Sequence, residues 1–321
     1  MSHARLFSFG CKCALAAGLL LSLTGCPTPD SGSNKPLNDG PSNRIVAVSV
    51  PLQAMAEACV DDSITVVCPA AKAPDPRTWR PDRESIAEMQ SADMVIANGV
   101  GANYAKWLVT VSLPDSKLIN VATKGMSIRD YIAVEDIQIV HSHGPEGEHS
   151  HPTMVAHTWL APAIAKKQLL YIQTRIQKTY PDVNSPRFDD FAEQLDALIQ
   201  RVEKSKLAES KTVLTATHEM KYLTRSLGLE DRHLNWNKDI SIVDMEKQLV
   251  EVIAELKTKP EQFTNAILIP STLRSAFGDQ QNQLFEKLGL QRIDIDLIDS
   301  PQSSYLESMD ANLQKMLPLF N

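Results

Sequence analysis

The stretch 45-IVAVSVPLQAMAEACVDDSITVVC-68 decides the fold. Its opening, 45-IVAVSVP-51, is a short valine-rich apolar run and reads as a buried strand. A helix, 52-LQAMAEACV-60, follows, and 64-ITVVC-68 is a second strand. Short apolar strands alternating with helices imply a parallel α/β sheet.

The same alternation continues outward. The segment 84-ESIAEMQSA-92 has helical spacing, 94-MVIAN-98 is a strand ending at Gly99, and 118-LINVA-122 is another strand. From Trp159 to about Leu207 no strand is evident. Instead 162-PAIAKKQLLYIQTRIQKTY-180 is a helix, with Ile164, Leu169, Ile172 and Ile176 as its apolar positions. A second helix, 187-RFDDFAEQLDALIQRVEKSKL-207, repeats Phe188, Phe191, Leu195, Leu198 and Val202 at three- and four-residue spacing. At roughly 1.5 Å per residue it extends about 30 Å. Alternation resumes with strand 212–217, helices 220–228 and 243–259, strand 266–270, helix 279–289, strand 291–297 and a last helix to about Leu319. The expected layout is an N-terminal α/β lobe over 44–185, a long helix over 186–209 and a C-terminal α/β lobe over 210–321.

Composition narrows the function. With 43% hydrophobic and 22% charged residues the chain can bury a core and does not read as disordered. The net charge is −7 and no basic stretch interleaves with aromatics, so nucleic acid is not an expected partner. Arg5 and Lys12 flank the start of the short apolar run 14-ALAAGLLLSL-23, which is too short to span a bilayer and has the order of a secretory leader. The next residues, 23-LTGC-26, resemble a lipobox, so residues 1–25 are expected to be removed and Cys26 acylated. Residues 26–43 contain 27-PTPDSGSNKPLNDGPSN-43, a flexible tether suited to holding a folded body off a membrane. The expected location is outside the cytoplasmic membrane, in the periplasm or on the cell surface, as an anchored monomer. Cys59 and Cys68 can then form a disulfide or stay as buried thiols.

Ligands of open α/β sheets bind beyond the carboxyl ends of the strands. His218 follows strand 212–217, Asp299 follows strand 291–297, and His157 opens the segment between the lobes. Two imidazoles and a carboxylate suit a borderline divalent ion such as zinc. On spacing alone, a lone histidine at a strand end is more often a capping or surface residue. Just upstream, 141-HSHGPEGEHSH-151 adds His141, His143, His149 and His151 in a Gly/Pro-containing loop. It reads either as a solvated spacer or as a mobile capture loop, whose ion binding would fade below about pH 6 as imidazoles protonate.

At these residues the chain resembles the zinc/manganese-binding lipoproteins that feed ABC importers, the cluster A-I class of periplasmic metal-binding proteins. The likeness runs from Arg44 to the C-terminus. It is carried by 75-DPRTWRPDRESIAEMQSADMVIANG-99, 157-HTWLAP-162, 213-VLTATHEMKYLTRSLGL-229 and 299-DSPQSSYLESMDANLQKM-316, in that order. The resemblance implies two α/β lobes with parallel sheets, bridged by a long rigid helix, with metal in the cleft between them. It implies His157, His218 and Asp299 as ligands, Zn(II) or less readily Mn(II) as cargo, an ABC permease as partner, and no catalysis.

One position departs from the family. Its first histidine ligand falls on Arg77, and a guanidinium only donates. Its charge would repel the metal unless paired with an acid; Asp75 and Asp82 are near in sequence. A loop histidine (His141, His143, His149 or His151) could supply the missing donor, or a water could. Otherwise the site has decayed, and the chain is an interaction or adhesion lipoprotein on the same fold. The segment 218-HEMKY-222 opens like a zinc-protease helix but has Tyr222 where the second histidine belongs, so a hydrolase is not expected. Glu219 then reads as an acid in a first helical turn.

Overall fold

The computed structural model describes residues 42–320 except 101–105, 143–147 and 207–208, and its side-chain description excludes 106, 109, 134–153 and 320. The expected leader 1–25, the expected acylation site Cys26 and the expected tether up to residue 41 lie outside the described residues.

The opening apolar run forms strand β1 (Arg44–Ala47) and passes into helix α1 (Val50–Ala58). Pro51 stands in that helix's first turn, where a missing N–H costs nothing. Strand β2 (Thr65–Val67) returns parallel to β1. Helix α2 (Arg83–Ser91) is capped by Asp82, which accepts from the Ser85 N–H at 2.8 Å. Strand β3 (Met94–Ala97), wholly buried, pairs with β1 on its other side, and β4 (Leu118–Asn120) and the short helix α3 (Val121–Gly125) follow. The first sheet has the order β2-β1-β3-β4, all parallel.

Strands β5 (Ala133–Ser142) and β6 (Glu148–Met154) then form an antiparallel hairpin. Helices α4 (Pro162–Thr179) and α5 (Phe188–Ser205) lead to the second sheet. That sheet takes β7 (Lys211–Thr215), helix α6 (Lys221–Ser226), β8 (Leu229–His233), α7 (Ile242–Leu256) and β9 (Phe263–Pro270). It continues with α8 (Ser271–Arg274), α9 (Asp279–Leu288) and β10 (Gln291–Ile295), and α10 (Tyr305–Met316) closes the lobe. The order is β10-β9-β7-β8, again all parallel. Two α/β lobes with parallel sheets are therefore observed, as the alternation implies. In each sheet the order reverses beside its first strand, at β1/β3 and at β7/β9, the crevice where such sheets take ligands.

One core crosses both lobes. Ile45 and Val95 of the first sheet, Leu169 and Leu195 of α4 and α5, Val213 and Ile295 of the second sheet and Met309 of α10 all belong to it. A second cluster, with Trp236, Met245, Ile267 and Phe285, fills the far face of the second sheet. Helix α5 departs from the first lobe at Arg187, whose guanidinium donates to the carbonyls of Glu57 and Val60 at 3.1 and 2.9 Å. It then runs to β7 in the second sheet. Cys59 and Cys68 are free buried thiols, and burial pushes them up to about 12 and about 11.

Two readings need correction. The 141–151 segment is not all loop: residues 141–142 end β5 and 148–151 begin β6, with His141 opposite His149 and Ile139 opposite His151. Glycine, proline and charge in 144-GPEGE-148 mask strands whose stability comes from cross-strand pairing rather than from local pattern. Strand β8 also went unread, because 229-LEDRH-233 has a single apolar residue and sits at a sheet edge.

Asp93 fastens the first lobe. Its carboxylate accepts from the Ser42 and Arg44 N–H groups at 2.9 and 3.3 Å and from the Tyr180 hydroxyl at 2.8 Å. Burial works to raise its pKa, but those hydrogen bonds outweigh burial and hold it below the usual carboxylate range. Asp93→Asn is expected to cost about 1–3 kcal/mol in urea denaturation at neutral pH. A carboxyl with a depressed folded pKa stabilises above its unfolded value, near 3.9, and that advantage disappears as pH falls through the folded value. The difference between the two proteins should therefore vanish on acidification.

Candidate metal site

His157 is built in from both neighbours. Asn98, at the carboxyl end of β3 and 2% exposed, donates from Nδ2 to the Ala156 carbonyl. Its Oδ1 accepts from Thr158 Oγ1 at 3.0 Å and from Gln168 Nε2 at 3.1 Å, and Gln168 also donates to Thr158 Oγ1 at 2.8 Å. The residues on either side of His157 are thus clamped to the first lobe. Gly99 makes this possible: its φ is +82°, and a Cβ there would lie 2.8 Å from Asn120 Cβ.

The second lobe grips the same segment. The fully buried Trp159 donates from Nε1 to the Leu297 carbonyl at 3.0 Å, and its own carbonyl accepts from the Tyr305 hydroxyl at 2.7 Å. The indole meets the His157 ring edge-on at 5.3 Å. Trp159 lies two residues after His157, and Leu297 two residues before Asp299, so joining them brings the two candidate ligands together. His157 Nε2 stands 3.9 Å from Asp299 Oδ2, with side chains 3% and 9% exposed. Two donors on a tetrahedral zinc with bonds near 2.1 Å are about 3.4 Å apart, so a small inward movement would complete the pair. Between Leu297 and Asp299, Ile298 has φ +61°, a costly conformation for a β-branched residue, of order 1–3 kcal/mol. Asp296 holds that turn by accepting the Ile298 N–H at 2.8 Å.

Beyond β7, Thr217 precedes a 3-10 turn, His218–Met220. His218 is depressed by burial first, then by the neighbouring His157, His233 and Lys221, against an opposing pull from Glu219. Its imidazole is therefore neutral at pH 7, the form that can donate to a metal. Glu219, which reads in the sequence as a first-turn acid, has a second role. Its Oε1 accepts from Arg77 Nη1 at 2.8 Å and its Oε2 from Thr217 Oγ1 at 3.0 Å. Burial works to raise its pKa, yet the fields of His157 and Arg77, the Thr217 hydrogen bond and His218 hold it below the usual range.

Arg77 is fully engaged. Its Nε and Nη2 donate to the two oxygens of Asp75, each at 3.1 Å, and the third arm crosses to Glu219. Burial works against its charge; the Asp75 hydrogen bond and the fields of Glu219, Asp75 and Asp299 more than offset it. Asp75 is thus the local partner, as its nearness suggests, and Asp82 serves as a helix cap instead. Glu219 escapes a reading by proximity because 142 residues separate it from Arg77. The available signal is the pairing of two oddities, an arginine at a ligand position and an acid directly after His218.

Among the described residues no three His, Cys, Asp or Glu side chains stand close enough together to hold an ion as placed. The fold brings His157 and Asp299 together and sets His218 within the electrostatic neighbourhood of His157. The side chains of His141, His149 and His151, and all of His143, lie outside the described residues. His233, unassigned in the sequence, sits 3.7 Å from Asp231, which also faces Lys221 at 3.7 Å.

The model of the family ZnuA, zinc-uptake complex component A, periplasmic, matches residues 45–317. The chain belongs to this family. It is 25% identical over 210 residues to the high-affinity zinc uptake system protein ZnuA of Bacillus subtilis, and the match spans about 60% of that relative's length. Among solved structures it resembles the Zn(II)-bound ZnuA-like domain of Streptococcus pneumoniae AdcA. There the identity is 19%, the TM-score 0.64, and the match covers 86% of this chain and 98% of that one. It also resembles the SBP FpvC from Pseudomonas aeruginosa in complex with Mn2+, at 19% identity and TM-score 0.63, over 86% and 97% of the two chains. At these identities the likeness establishes a shared two-lobed fold. ZnuA members are components of an uptake complex, a binding rather than a catalytic role.

Tyr305→Phe removes the hydroxyl that satisfies the buried Trp159 carbonyl. A loss of about 1–3 kcal/mol is expected in denaturant unfolding, read by tryptophan fluorescence.

Proposed function

We propose that this chain captures a divalent transition-metal ion outside the cytoplasmic membrane and delivers it to an ABC-type permease. Zn(II) is the first cargo and Mn(II) the second. The observation that carries this reading is the buried approach of His157 to Asp299 at 3.9 Å, in a chain whose family match spans 45–317. His157, His218 and Asp299 act as ligands, and His141, His143, His149 and His151 assist capture. Imidazoles with a carboxylate favour zinc over manganese. A manganese-bound neighbour alongside a zinc-bound one keeps the second cargo in view. The chain works as a monomer of two lobes, 44–185 and 210–321, joined by the helix over 186–209. It is held to the membrane by a lipid on Cys26 through the 26–43 tether.

Arg77 favours a second reading, an adhesion or interaction lipoprotein with a degenerate site, because its half-buried charge is paired with Glu219 beside the candidate ligands.

Elemental analysis and chelator-competition titration of the unlipidated chain separate the two. Capture predicts one Zn(II) per chain, with affinity reduced on the order of 100-fold or more in His157→Ala and His218→Ala, at least the effect of losing an outer-shell partner. A folded, chelator-stripped chain that gives no binding heat would sink metal capture and leave the second reading.

A further inference from the structure

We propose that Glu219 is the remaining donor of the metal site and that Arg77 is its tethered competitor. In the metal-free chain the guanidinium holds the Glu219 carboxylate. When a divalent cation arrives, it takes that carboxylate and Arg77 falls back on Asp75. The inference rests on the metal-capture reading and supplies the donor that Arg77 displaced.

The contacts of Arg77 are arranged for such an exchange. Its backbone N–H, Nε and Nη2 all donate to Asp75 in its own loop, at 3.0, 3.1 and 3.1 Å. Only Nη1 reaches across to Glu219, at 2.8 Å. Giving up Glu219 therefore costs Arg77 one hydrogen bond and leaves it paired bidentately. Glu219 is arranged for it too. Its side chain is 7% exposed, it directly follows His218, and Thr217 Oγ1 steadies Oε2 whichever cation holds Oε1. A ligating carboxylate commonly keeps such an outer hydrogen bond.

Charge accounting favours a doubly charged ion. Asp75, Glu219 and Asp299 all bear on the one guanidinium. With neutral imidazoles, as coordination requires, one guanidinium and one divalent ion together match the charge of three carboxylates. Glu219 and Asp299 then neutralise the metal while Asp75 neutralises Arg77. A buried carboxylate is costly without a counter-ion, so the arginine keeps Glu219 in place until the cargo replaces it. Arginine suits this role because its guanidinium stays charged and cannot itself ligate the ion.

The test is Zn(II) affinity by chelator competition for the full unlipidated chain and for Arg77→Gln, Arg77→Lys and Glu219→Gln, with metal-free melting curves. Folding is checked by circular dichroism. Glu219→Gln should bind Zn(II) at least tenfold more weakly. Arg77→Gln should melt lower than the parent when metal-free yet bind Zn(II) about tenfold more tightly, because the competitor is gone. Should Arg77→Gln not fold, Arg77→Lys keeps the charge without the two-sided fork and should shift the same way by less. Co(II) substitution gives a second readout: the visible band of the bound ion should change in Glu219→Gln and persist in Arg77→Gln. If Arg77→Gln weakens binding, Arg77 orients Glu219 rather than competing for it, and the proposal falls. If all variants bind like the parent, Glu219 is no ligand, and the proposal falls while metal capture stands. If neither the parent nor Arg77→Gln binds Zn(II), metal capture itself fails and takes this inference with it. A parent that binds nothing beside an Arg77→Gln that binds would support competition in its strongest form.

Discussion

The hydrogen bond from Trp159 to the Leu297 carbonyl is the joint on which the site depends. It lies in the buried core, where an indole N–H without an acceptor is expensive, so the two chain segments are held in one register. Each segment carries a candidate ligand two residues away. The clamp of Asn98, Thr158 and Gln168 on one side and the Tyr305 hydroxyl on the other make the joint part of both lobes. His157 and Asp299 therefore meet as a consequence of core packing and need no attraction for each other. A pair placed this way by packing has little ordering entropy left to lose.

The second crossing between lobes has a different character. Arg77 and Glu219 meet as charges, at 2.8 Å, with side chains 21% and 7% exposed. Such a pair is expensive to form, because both ions lose water, and expensive to break from one side only. The hydrogen-bonded joint at Trp159 and the ionic joint at Arg77 thus flank the same candidate ligands. The first is fully buried at Trp159. The second has an alternative partner, since Asp75 already holds most of the guanidinium.

How far the sequence could be read follows from which forces are local. Helices α4, α5 and α7 were legible from apolar spacing, and the parallel strands from their short branched runs, because burial of one face imposes a period. The order of the four family segments offers His157, His218 and Asp299 as candidate ligands. Strand β8, with one apolar residue, and the hairpin β5–β6, interrupted by Gly and Pro, left no such period. Glu219 was read as a dipole-favouring acid because its true partner lies in the other lobe, out of reach of any window along the chain. Asp82 was an equal candidate with Asp75 for Arg77 until the helix start claimed its carboxylate for the Ser85 N–H.

By itself the sequence determined the fold class, the alternation that makes two parallel sheets, the family, and an arginine at the position where the family resemblance implies a ligand. Those properties are carried by residue type and spacing. Only the tertiary structure decided that Cys59 and Cys68 stay apart as buried thiols, that Ile298 is bent into the left-handed region to present Asp299, and that Arg77 spends its charge on Glu219. The last depends on a contact between residues 142 positions apart, set by how the two lobes pack, and the first two depend on local three-dimensional placement that residue type and spacing do not encode.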